Sequence, residues 1–120
     1  MNIEYNIQYL IALAIGATLE VGWEIFDISD DPPHVDLMIG NDDYPWYLKT
    51  DRDGGLFLQH GTCMSAWMKR EGNLTRSHRL ISVLMDIEKQ FGISVRLPQG
   101  FASAMEREEE AFLNMEREHA

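Results

Sequence analysis

The chain has 120 residues, 45% of them hydrophobic, with 3 Trp, 4 Tyr and 5 Phe. That is enough apolar material for one packed core, so a single domain spanning 1–120 is expected and global disorder is disfavoured. Twenty acidic residues against 10 basic ones give a net charge of −10, which disfavours direct binding to nucleic acid or to an anionic membrane, because both need clustered Lys and Arg.

Residues Ile3, Ile7, Leu10, Ile11, Ala14 and Ile15 recur at helical spacing and predict a first helix over residues 2–17, with Gly16 as its stop. The apolar run Ile7 to Ala17 is short for a membrane span and is flanked by Glu4 and Glu20, so it reads as a core helix. Leu19, Val21, Trp23 and Ile25 alternate with Glu20, Gly22, Glu24 and Phe26, the period of a half-buried strand. Three further strands are expected at His34–Ile39, Pro45–Thr50 and Leu56–His60. They are separated by turn chemistry at 29–33, 40–44 and 51–55. Sequential strands joined by short turns usually pair, which gives a four-stranded antiparallel meander.

The pattern changes at Gly61. Thr62 is placed to cap a short helix through about Arg70, burying Met64, Trp67 and Met68. Asn73 or Thr75 caps a longer helix that buries Leu80, Val83, Leu84, Ile87 and Phe91 and stops at Gly92. Ile93 to Leu97 reads as a short edge strand ended by Pro98. A last helix runs from about Phe101 to Glu118, with Phe101, Ala104, Met105, Phe112 and Met115 on one face; Ser103 and Glu106 have capping-box spacing. The expected class is α+β: an N-terminal helix, the meander, then a helical half packed on one sheet face.

Charge is concentrated in segments. Residues 27–53 hold eight aspartates (Asp27, Asp30, Asp31, Asp36, Asp42, Asp43, Asp51, Asp53) against Lys49 and Arg52. A second acidic block closes the chain at Glu106–Glu118, and Lys69 to Arg96 between them is net basic. In a meander, alternate loops share a sheet edge, so the 29–33 and 51–55 turns belong together. Asp also favours turns for local reasons, because its side chain caps backbone groups. Turn chemistry accounts for each Asp singly but less well for the regional excess.

Other constellations are weaker. Asp51-Arg52-Asp53-Gly54-Gly55 fails as a calcium loop, since its fifth and twelfth positions are Gly55 and Thr62. His60 and Cys63, with His34 and His78, form an incomplete zinc set, or a Cys–His pair whose geometry sequence does not supply. No pair among the many carboxylates stands out as a glycosidase-type acid and base. Lys69, Arg70, Arg76 and Arg79 around the 71–75 turn read as a small anion site or as solvated helix-end charges. Cys63 is the sole cysteine, so no intrachain disulfide forms and a cytoplasmic location is expected.

The leading expectation is a non-enzymatic binding protein without a cofactor. It would present Asp30, Asp31, Asp42, Asp43, Asp51 and Asp53, with Trp46 or Tyr47 as aromatic anchor, to a basic, nucleic-acid-binding partner protein and block it. Small acidic nucleic-acid mimics act this way, including phage anti-CRISPR and anti-restriction inhibitors and immunity proteins; the likeness is one of charge and size alone. One alternative is a ligand- or metal-binding module, enzymatic or not, around His34, His60, Cys63 and His78. Another is a structural subunit that forms homodimers through its last helix.

Overall fold

The computed structural model describes residues 3–30, 33–40, 44–50 and 55–118. Helix α1 (Ile3–Leu19) runs past the expected stop at Gly16. It ends instead at Glu20, whose φ of 63° is left-handed. Val21 N–H donates to Gly16 O at 2.8 Å and Glu20 N–H to Ala17 O at 3.2 Å. These are the two bonds of a Schellman closure, with a glutamate where glycine is usual. Gly16 serves a close approach rather than a stop: a Cβ there would lie 2.7 Å from Val21 O.

Because the helix takes Leu19, the first strand starts later than the alternation suggests. The strands are β1 (Trp23–Asp30), β2 (Pro33–Ile39), β3 (Trp46–Thr50) and β4 (Leu56–His60). They pair antiparallel in sequence order, as the meander requires. The edge strand expected at Ile93–Leu97 joins the same sheet as a fifth strand, so the four of the meander undercounts it. After helices α2 (Met64–Met68) and α3 (Asn73–Phe91), strand β5 (Val95–Arg96) pairs parallel to β4. A parallel neighbour needs a crossover of a dozen or more residues, and the two helices supply it. Helix α4 (Phe101–Glu118) ends the described chain.

Alternation decides which face the helices cover. Leu37, Ile39, Trp46, Leu48 and Leu58 are at most 2% exposed and share the covered face. Trp46 is the hub. Its ring stands nearly perpendicular to Trp67 of α2, at 5.0 Å between centroids, and edge-on to Phe101 of α4 at 6.4 Å. Truncating a buried tryptophan to alanine typically costs about 3–5 kcal/mol. Helix α1 packs on β2 and α3, with Tyr9 stacked on Trp23 at 5.6 Å.

Several caps differ from expectation. Cys63, not Thr62, precedes α2, and Gly72, with φ 79°, precedes α3. Asn73 is buried inside the first turn of α3, where its amide donates to Trp67 O at 2.7 Å. Gly92 ends α3 at φ 68°, as expected. Leu80, Leu84 and Ile87 are buried, but Phe91 is 40% exposed. α4 begins at Phe101, so Ser103 and Glu106 lie within the helix and form no capping box. Its Phe101 and Ala104 are buried, whereas Phe112 and Met115 are more than half exposed.

Gly16 and Gly22 offer a matched test of the α1–β1 turn. Gly16→Ala drives a Cβ into Val21 O, whereas a Cβ at Gly22 meets nothing within 4 Å. The expected loss for Gly16→Ala is about 1–3 kcal/mol, with Gly22→Ala within about 0.5 kcal/mol of wild type. Urea denaturation of both variants decides this, and equal midpoints would refute the close-approach account.

Candidate functional site

The strand order brings the turns between β1 and β2 and between β3 and β4 to one end of the sheet. Asp30 closes β1 at that end, in register with Pro33. Asp31, Asp42, Asp43, Asp51 and Asp53 lie outside the described residues. The ladder adds an acidic pair that sequence reasoning did not single out: Asp27 and Asp36 stand opposite each other on β1 and β2. Their register depends on an irregularity between Ile25 and Asp27, which the alternation of the sequence gives no sign of. Lys49, next after Leu48 on β3, falls level with Asp36 by count.

Of the two aromatic anchors, Trp46 is ruled out by burial, at 2% exposure. Tyr47 lies on the opposite, uncovered face with Met38 and Gln59 in its row. Phe26 joins this face: it is 57% exposed, and its ring meets Tyr47 edge-on at 5.0 Å. Lys49 Nζ sits 5.7 Å from the Tyr47 ring centre, and the Arg96 guanidinium 5.4 Å from that of Phe57. The open face is thus an aromatic strip with its own cations on one side and carboxylates on the other.

The four proposed metal ligands do not converge. His60 pairs with Trp46, and Trp46 with Ile39. His34 lies five residues before Ile39 on β2, about 16 Å along the strand. His78 is on α3 and pairs with Glu109 of α4 at 2.9 Å. Among the described residues, no group of three or more His, Cys, Asp or Glu can hold a metal ion.

His60 and Cys63 do border a common open cleft of about 580 Å³, together with Phe57, Arg96, Pro98 and Gln99. Among the described residues, however, no hydrogen bond joins the His60 and Cys63 side chains, and each is engaged elsewhere. His60 Nδ1 is engaged by Thr62, 3.0 Å from its carbonyl oxygen and 3.2 Å from its backbone nitrogen, so Thr62 holds this nitrogen in either tautomer. Nε2 is buried without a hydrogen-bond partner, and the ring packs edge-on to Trp46 at 4.7 Å. Burial holds the His60 pKa below its ordinary value, against an opposing bond to the Thr62 backbone. Cys63 is exposed, and the Ala66 and Ser65 N–H groups, then the Ser65 hydroxyl, hold its thiol below the usual range. Without a hydrogen bond between His60 and Cys63, the two do not form the nucleophile–base contact of a dyad.

A second, smaller cleft of about 230 Å³ lies beside the 71–75 turn. Its cations are engaged within the chain. Arg76 bonds Glu20 at 2.7 Å and Asn73 Oδ1 at 2.9 Å, and Arg70 lies over the Tyr44 ring at 4.2 Å. The Arg76 hydrogen bond and charge hold the Glu20 carboxyl below its ordinary range. No helix among the described residues is long and apolar enough to cross a membrane. The chain matches no protein-family model, no curated protein and no solved structure.

The His60 environment sets a pH dependence. As pH falls through about 6.5 the unfolded chain takes up a proton, while the folded ring stays neutral to lower pH. The unfolded state then binds more protons, so this contribution is complete above that range and is lost as pH drops through it. Urea midpoints at pH 7.5 and 5.5 are expected to fall less for His60→Gln than for wild type. An equal fall in both proteins would show that this ring is not coupled to folding.

Proposed function

We propose that this chain is a binding protein that lays its acidic sheet end on a basic surface of a partner, of the kind that otherwise holds nucleic acid, and so blocks it. What supports this reading is strand order read together with charge. Two of the three meander turns leave at one sheet end, next to the Asp27–Asp36 pair, from a segment with eight aspartates and two cations. Such an end steers encounter with a basic protein and repels polyanions.

The anti-CRISPR, anti-restriction and immunity-type inhibitors act through the same physics, and this reading places the chain with them in mode of action. The test is affinity capture from host lysate at low and high salt, beside the triple variant Asp30→Asn, Asp31→Asn, Asp51→Asn. The expected result is a stoichiometric basic partner that weakens at high salt and is retained at least about tenfold less by the variant, which keeps wild-type thermal stability. Normal capture by the variant at low salt would overturn the proposal.

A second reading, self-association through α4, is favoured by one observation. Phe112, Leu113 and Met115 are each at least half exposed on its C-terminal turns, an unpartnered apolar surface. If it holds, sedimentation equilibrium gives a dimer that the double variant Phe112→Ser, Met115→Ser converts to monomer. A wild-type monomer at high micromolar concentration removes it.

A further inference from the structure

We infer that the irregularity at Phe26 builds a receptor for an arginine side chain of the basic partner; this rests on the docking reading above and specifies its chemistry. In a regular strand, neighbouring residues point to opposite faces. Ile25 is in register with Leu37 of the covered face, and Asp27 with Asp36. Asp36 precedes Leu37 and so belongs to the open face. The residue between them, Phe26, also reaches that face, since its ring meets Tyr47. The strand therefore places Phe26 and Asp27 side by side on one surface. Glu24, opposite Met38, adds a carboxylate on the same face to the other side of the ring. Bulges of this kind re-aim side chains and are common beside functional sites.

The face already shows what its rings bind. Tyr47 has Lys49 over it and Phe57 has Arg96. Phe26 is the most exposed ring of the three, and among the described residues no cation lies over it. A guanidinium suits this position better than an ammonium. It stacks flat on the ring while its fork bonds a flanking carboxylate, whereas a lysine is a strongly hydrated point charge. Exposed aromatics also serve as platforms for single-stranded nucleic acid. Here Glu24 and Asp27 flank the ring and the chain carries −10, so phosphates are repelled.

The test titrates the intact chain at low salt with fluorescent nona-arginine, nona-lysine and oligothymidylate, read by anisotropy. Nona-arginine is expected to bind about three- to fivefold tighter than nona-lysine. Phe26→Ala and Phe26→Leu should both abolish that preference, while Phe26→Tyr keeps it. The leucine variant retains an apolar side chain, which controls for folding and simple contact. If arginine and lysine peptides bind equally, or if Phe26→Leu keeps the preference, the arginine receptor is wrong and acidic docking stands. If neither peptide binds, both readings fall. If oligothymidylate binds in their place, the open face is a base-stacking platform and the inference is overturned.

Discussion

The burial of Trp46 is the constraint on which the rest depends. It sits on β3, in the middle of the five-stranded sheet, with its ring against Trp67 of α2 and Phe101 of α4 in the helical layer and against His60 of the neighbouring strand β4. Perpendicular aromatic contacts combine large apolar burial with a directional preference. They fix the height of the helical layer over the sheet as well as its presence. Strand alternation then leaves no choice about Tyr47, which must face the other way.

Committing one face to helices leaves the other to solvent, and the proposed binding surface follows from that division. The covered face is apolar and buried. The open face carries Phe26, Tyr47 and Phe57 with carboxylates and cations among them. The same commitment fixes the His60 ring at the edge of the His60–Cys63 cleft. His60 belongs to the covered face, in the Trp46 row, so one ring nitrogen is buried and the other is held by Thr62. The residue that resembles a base in the sequence is in effect a wall of the core.

Much of the fold was legible because it is local. The 3.6 period of α3 and α4, the period of two in β3 and β4, and the Gly92 stop are each encoded within a few residues. The sharing of one sheet end by two turns was legible too, since it needs only consecutive pairing. The edge strand at 93–97 was legible as a strand but not as a parallel neighbour of β4, because that partner lies across two helices. Gly16 misled for a related reason. Glycine favours a helix stop on average, but here its missing side chain makes room for the Val21 carbonyl, a contact invisible until the chain turns back on itself.

The sequence by itself determined the class of this protein, its element order and the sign and location of its charge, since composition and short-range periodicity are properties of neighbours along the chain. Only the tertiary structure decided which aromatics are core and which are surface, that the His and Cys residues do not converge, and that Phe26 and Asp27 share a face. Each of those depends on register. A shift of one residue in a ladder exchanges the two faces of a strand, and nothing in the local sequence of β1 marks where that shift occurs.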